Sequence, residues 1–193
     1  MKKILFASSN RGKLAEIKAL LPEGFELLNP ADAGFDSEIE ETGKTFEENA
    51  EIKAKVLFEH TGIPSFADDS GLEVEALKGA PGVRSARYGG DNSNSQTNNI
   101  LLLKNMEGKK NRKARFVCVI CLISSAGKIL LFEGTVNGSI ANEARGDKGF
   151  GYDPVFIPDG YDQTFAELGS EVKNKMSHRT AAFNKMLPFL EFL

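Results

Sequence analysis

Ile63-Pro64-Ser65-Phe66-Ala67-Asp68-Asp69-Ser70-Gly71 runs from an apolar stretch straight into two carboxylates, a hydroxyl and a glycine. Residues 63–67 read as a buried strand. Asp68-Asp69-Ser70-Gly71 reads as a turn, because adjacent aspartates repel and both favour turns over strands. A second short strand then runs through Val74. At neutral pH both carboxylates are normally ionised, since a model aspartate titrates near ~3.9. Such a cluster suits a hard cation such as Mg²⁺, with one carboxylate left to orient a water molecule. A solvated turn explains the tetrapeptide about as well, so the decision falls to the rest of the chain.

Upstream of this stretch, residues 2–8 read as a buried first strand. Residues 12–21 read as a helix with Leu14, Ile17, Leu20 and Leu21 on one face. Residues 25–28 form a short strand, and residues 30–44 a loop rich in acid and glycine. Thr45-Phe46-Glu47-Glu48 has the spacing of a capping box, and opens a helix to residue 61 that turns Phe46, Ala50, Ala54 and Leu57 inward. Downstream, residues 79–90 are a loop punctuated by Ala80-Pro81-Gly82, and residues 95–106 a third helix. Residues 114–124 and 128–136 are extended apolar runs joined at Ser125-Ala126-Gly127, which predicts a hairpin. Residues 138–158 are glycine-rich with short extended pieces. A last helix starts at Ser177 and buries Ala182, Phe183, Met186 and Leu187. With no internal repeat or linker, the pattern predicts one mixed α/β domain over residues 1–193, with a mixed sheet and a strand-rich second half.

The chain's 193 residues, 41% hydrophobic and 26% charged, are enough to bury a substantial core. A net charge of −3 argues against a nucleic-acid polymer as partner, which needs a basic footprint, but leaves room for a single nucleotide. The apolar run at residues 116–123 is too short to span a bilayer, and the apolar part of the N-terminal stretch ends after four residues. These features predict a cytoplasmic protein with no membrane partner. Cys118 and Cys121 form a C-x-x-C inside that run. An offset of three on a strand puts the two thiols on opposite faces, which excludes a shared zinc site.

Four further segments carry chemistry. Ser8-Ser9-Asn10-Arg11-Gly12-Lys13 lies between the first strand and first helix, where loop amides, a helix N-terminus and a lysine can hold an anion. It fails as a Walker A loop: Ala7 replaces the first glycine and Leu14 the magnesium-binding hydroxyl. In the acidic stretch around Glu40 and Glu41, either carboxylate can complete a metal site with Asp69. Asn49 and Lys53, four apart, share one helix face beside the apolar stripe. Gly149-Phe150-Gly151-Tyr152-Asp153-Pro154 offers an aromatic for stacking on a base and a carboxylate three residues on. Ser177-His178-Arg179 places cations in the first turn of a helix, against its dipole, which calls for an anion or acceptor opposite.

Taken together these segments resemble the inosine/xanthosine triphosphate pyrophosphatase family. The resemblance rests on Ser8-x-Asn10-x-x-Lys13, Glu41-Thr42-Gly43-x-Thr45-Phe46-x-Glu48-Asn49-Ala50, Ala67-Asp68-Asp69-Ser70-Gly71-Leu72, Gly82-Val83-x-Ser85-Ala86-Arg87-Tyr88, Gly149–Pro154 and Ser177–Arg179, in family order over nearly the whole chain. It implies Mg²⁺-dependent hydrolysis of ITP, dITP and XTP to monophosphate and pyrophosphate. It also implies an elongated two-lobed α/β domain with a curved mixed β-sheet, flanking helices and a central cleft, and a homodimer. By the same resemblance Asp69 is the catalytic proton acceptor and, with Glu40 or Glu41, a metal ligand. Ser8, Ser9, Asn10, Arg11, Gly12, Lys13, Lys53, Ser70 and Lys173 (in preference to Lys175) bind phosphate and sugar. Phe150, Gly151, Tyr152 and Asp153 hold the base, and His178 and Arg179 read its 6-oxo group.

Overall fold

The computed structural model describes residues 1–192. Six strands form one sheet in the order β2-β1-β3-β4-β5-β6: β1 is Lys2–Phe6, β2 Phe25–Leu28, β3 Ser65–Val74, β4 Lys113–Ile123, β5 Ile129–Ile140 and β6 Phe156–Pro158. The sheet is mixed. β1 runs parallel to β2 and to β3, with Phe6 opposite Phe66, whereas β6 runs antiparallel to β5. The expected hairpin is β4–β5, closed by Ser124 N–H on Lys128 O and Gly127 N–H on Ser124 O. Among the described residues six α-helices accompany the sheet: α1 Arg11–Leu20, α2 Phe46–Thr61, α3 Ser95–Asn105, α4 Phe165–Leu168, α5 Ser170–Met176 and α6 His178–Met186.

Residues 65–74 are one continuous strand, which corrects the turn expected at Asp68–Gly71. The turn preference of adjacent aspartates holds where both carboxylates share solvent. On a strand, successive side chains point to opposite faces, so the two charges are carried apart and each meets its own partners. The short helices α4 and α5 were not legible in sequence: with four and seven residues they are too brief for a helical period to show.

The chain divides into two compact units. Unit 1 comprises Met1–Asp69, Cys118–Gly134 and the stretch from Arg179 on. Here the sheet has a packed core on each face. Ile4 and Phe6 of β1, Phe66 of β3 and Cys118, Ile120 and Leu122 of β4 pack with Ile17 of α1 and Ala182, Phe183 and Met186 of α6. Leu5, Ala7, Ala67, Cys121 and Ile123 face the other way, onto Ala50, Ala54 and Leu57 of α2. The two cysteines therefore lie in different cores, as their spacing predicts. α2 starts as foreseen: Thr45 Oγ1 accepts from Glu48 N–H at 3.2 Å, but the Glu48 carboxylate reaches back to Lys44 N–H rather than to the cap residue.

Unit 2 comprises Ser70–Val117 and Thr135–His178. Its core gathers Leu72, Val74, Phe116, Val136, Ile140, Phe156 and Phe165 with Leu102 and Met106. Residues 82–87, expected as plain loop, form a 3₁₀ turn. Its Ser85 accepts Leu72 N–H on Oγ, and its backbone carbonyl accepts the Tyr152 hydroxyl.

Candidate active site

On β3, Asp68 follows Phe66 onto the α1/α6 face, and Asp69 follows Ala67 onto the α2 face. Asp68 is fully buried and surrounded by cations. Lys13 Nζ of α1 donates to Oδ1 at 2.9 Å, while Arg179 of α6 donates to Oδ2 from Nε at 3.0 Å and from Nη2 at 2.9 Å. Burial alone would raise this carboxyl, but Lys13, Arg179 and Lys53 outweigh it and hold Asp68 far below the ordinary carboxylate range. Arg179 also pairs with Glu16 of α1. The anion demanded by cations in the first turn of α6 is thus found within the protein. Sequence reasoning missed Glu16. Its one trace was spacing three residues after Lys13, on the same helix face, and its partner is 163 positions away.

Asp69 meets a different set. Asn49 Nδ2 donates to its Oδ2 at 3.1 Å, and Lys53 Nζ lies 3.8 Å from its Oδ1. Lys53 bonds Glu41 Oε1 at 3.1 Å as well, and so stands between two carboxylates. Burial raises the Asp69 carboxyl above its ordinary value; Lys53 pulls it back, Glu41 pushes it up again, and the result stays raised. Burial by itself would lower the Lys53 ammonium, but Asp69, Asp68 and Glu41 leave it raised. Of the two glutamates left open by the sequence, Glu41 stands beside Lys53, whereas Glu40 is exposed.

Among the described residues, no cluster of three or more histidine, cysteine or acidic side chains could hold a metal on its own. Two hard carboxylates, one of them raised chiefly by burial, still fit Mg²⁺. That ion binds through one or two carboxylates and completes its shell with water and substrate phosphate. The donor set would not suit zinc, which prefers nitrogen and sulfur ligands.

The loop before α1 is a capped turn. Asn10 Oδ1 accepts from Gly12 N–H at 2.9 Å and from Lys13 N–H at 3.1 Å, and Ser8 Oγ accepts from Asn10 N–H. Two amides expected to hold an anion are therefore engaged by the cap. Ser9 and Arg11 are exposed, and Ser8, Gly12 and Lys13 are half-buried.

In unit 2, Phe150 is half-buried, with Lys173 Nζ 4.3 Å from the centre of its ring. Lys173 also bonds Asp153 Oδ2 at 2.7 Å. Lys175 is exposed and pairs with Glu171 one turn away. Asp153 Oδ2 further accepts Phe150 N–H at 2.8 Å, so this carboxylate shapes the loop that presents the ring. Gly149 is required there: its φ is +78°, and a Cβ would lie 2.2 Å from Asp153 Oδ2. Tyr152 is buried and its hydroxyl anchors the loop to Ser85. Asn99 of α3 donates to Gly151 O at 3.0 Å. His178 is buried and lies flat on Phe116, ring centres 4.8 Å apart. Ser70 is half-buried.

A strand-borne carboxylate with a neighbouring lysine, and an aromatic loop braced by a second lysine, are the furniture of a nucleotide hydrolase. The Ham1 family model matches residues 4–189, and the chain belongs to that family. A dITP/XTP pyrophosphatase of Bacillus licheniformis is 48% identical to it over 194 aligned residues, covering 99% of each chain. A dITP/XTP pyrophosphatase of Bacillus subtilis is 45% identical, covering 99% of this chain and 98% of the relative. Among solved structures, a HAM1 protein from Coxiella burnetii superposes with a TM-score of 0.91 at 40% identity, covering 100% of both chains. The Staphylococcus aureus Ham1 protein gives 0.89 at 42% identity, covering 98% of each. These likenesses bear out the mixed α/β fold and the family resemblance read from the motifs.

Proposed function

We propose that the protein hydrolyses non-canonical purine nucleoside triphosphates, ITP, dITP and XTP, to monophosphate and pyrophosphate. This activity would clear damaged nucleotides from the precursor pool. The observation that carries the reading is Asp69: a buried carboxylate of raised pKa, oriented by Asn49 and flanked by Lys53 and Glu41. Near-full-length relatives bearing the name dITP/XTP pyrophosphatase support it.

In this reading Asp69 and Glu41 would hold Mg²⁺, which when bound would polarise phosphate oxygens and offset their charge. Asp69 accepts the proton of the water that attacks the α-phosphorus, a task a raised carboxyl suits. Lys53, bonded to Glu41 and 3.8 Å from Asp69, offsets the charge of both and, with Lys13, contributes positive charge toward the phosphates. The loop of residues 8–13 and Ser70 contact phosphate and sugar. Positioning and charge dominate, as is usual in phosphoryl chemistry. For base recognition, Phe150 stacks on the purine, worth ~1–3 kcal/mol per base in single-strand binders. Lys173 and Asp153 keep the ring in place. His178 supplies a hydrogen-bond donor for a 6-oxo group, which accepts, and opposes the 6-amino group of adenine, which donates, while Arg179, held by Asp68 and Glu16, fixes the start of the helix that carries it. A site of this kind can reject the wrong partner by ~10⁴-fold.

Pyrophosphate release from ITP, dITP, XTP, ATP and GTP, with Mg²⁺ and with EDTA, tests the proposal. Turnover of the first three with a divalent ion, and little with ATP, is expected. Orthophosphate with a nucleoside diphosphate would place attack at the γ-phosphorus and overturn the mechanism. A rate indifferent to EDTA would overturn the metal. We also propose a homodimer, on the family resemblance; the apolar loop of residues 79–90 does not require one, since Pro81 is buried and Tyr88 packs on the unit 2 core. A species of only 21.0 kDa in sedimentation at micromolar concentration would overturn it.

A further inference from the structure

Asn49 is almost wholly buried, at 2% exposure, in the first half of α2. Both ends of its amide are engaged. Nδ2 donates to Asp69 Oδ2 at 3.1 Å, and Oδ1 accepts Gly43 N–H at 2.8 Å. The partners define the amide's orientation, because a carboxylate only accepts and a backbone N–H only donates. Gly43 belongs to the loop that carries Glu41, two residues earlier in the chain. The approach is close: a Cβ on Gly43 would lie 2.6 Å from Asn49 Oδ1 and 2.9 Å from Asn49 N, so the loop can sit this near α2 only with glycine there.

We infer that Asn49 is a positioning residue that couples the Glu41 loop to the Asp69 carboxylate, setting the two metal-ligand candidates in one frame. The inference rests on the proposed roles of Asp69 and Glu41 and names the part of the chain that aligns them. No shorter or singly functional side chain does both jobs. Serine does not span the gap, leucine offers neither donor nor acceptor, and aspartate keeps the acceptor for Gly43 but turns a donor toward Asp69 into a second carboxylate. Residues that orient metal ligands typically matter ~10–100-fold in metal affinity or activity.

Two variants separate the two ends of the amide. Asn49→Asp retains the Gly43 bond and loses the Asp69 bond; Asn49→Ala loses both. Three readouts apply: steady-state kinetics on dITP, Mn²⁺ binding to the substrate-free protein by electron paramagnetic resonance, and tryptic cleavage after Lys44, the exposed lysine that follows Gly43. Asn49→Ala is expected to lower kcat ~10–100-fold with a smaller change in KM, weaken Mn²⁺ by a similar factor, and speed cleavage after Lys44. Asn49→Asp is expected to lose kcat while cleavage after Lys44 stays at the wild-type rate. Wild-type kcat in Asn49→Asp, or unchanged cleavage and Mn²⁺ binding in a folded Asn49→Ala, would overturn the inference. Cleavage and Mn²⁺ binding do not depend on the reaction, so a wild-type protein inactive on dITP would sink the proposed function while these two readouts still judge the clamp.

Discussion

Asp68 and Asp69 are neighbours in the chain and opposites in the fold. Asp68 faces α1 and α6, where Lys13 and Arg179 meet it with three hydrogen bonds and hold its carboxyl low. Asp69 faces α2, where its cation is 3.8 Å away and shared with Glu41, and its carboxyl is raised. The first carboxylate is compensated and serves to tie two helices to the strand. The second is raised chiefly by its burial, a state that suits a group taking a proton or a cation. On the proposed roles, identical side chains on consecutive residues divide structure from chemistry through the alternation of a strand.

Four measurements press on this contrast. The largest effect is expected from Asp69→Asn, which keeps the shape but can neither accept a proton nor hold a metal strongly; kcat on dITP should fall by ~10²–10⁴-fold. Its thermal midpoint should stay at or above wild type, because the buried charge removed is one the fold disfavours. A near-normal kcat here alongside an inactive but folded Asp68→Asn would exchange the roles of the two residues. Next is Asp68→Asn, which strands Lys13 and part of the Arg179 charge. Breaking a buried pair from one side costs ~3–5 kcal/mol, read from urea unfolding midpoints. A stability equal to wild type would show that Asp68 does not tie the helices.

Acid unfolding should then sharpen the contrast through its sign. The folded pKa of Asp68 is lowered, so its stabilisation is present above the unfolded value of 3.8 and is lost as pH falls below that toward the folded value. The folded pKa of Asp69 is raised, so its contribution is full below 3.8 and is lost as pH rises through the folded value. Unfolding midpoints between pH 2.5 and 7 should show a loss below about 3.8 that Asp68→Asn lacks. They should show a smaller opposite trend above that pH, absent from Asp69→Asn. Equal slopes in all three proteins would dissolve the distinction. The smallest effect concerns the thiols on the same two faces. Burial pushes Cys121 up to about 12 and Cys118 higher still. Native protein should leave a disulfide reagent untouched at pH 8 and react fully in urea; rapid native reaction of either thiol would contradict the two-core packing.

Much of this was readable before any coordinates. The first three helices, read at residues 12–21, 45–61 and 95–106 and found within a residue of those bounds, the β4–β5 hairpin and the opposed cysteines follow from period, caps and turn residues, all of which are local. The chemistry-bearing segments were readable too, through their order along the chain rather than through any one of them alone. What stayed hidden depends on partners remote in sequence. The expected turn at Asp68–Gly71 is a strand because Lys13 and Arg179 wait on one face and Asn49 and Lys53 on the other, and local preference carries no record of them. Glu16 became a partner of Arg179, Glu41 rather than Glu40 the neighbour of Lys53, and Asp153 and Tyr152 the braces of the Phe150 loop, for the same reason. Residue order decided which elements form and which chemical groups they carry. Only folding decided which charge meets which, because electrostatic pairing acts across space between strands and helices that sequence separation keeps far apart.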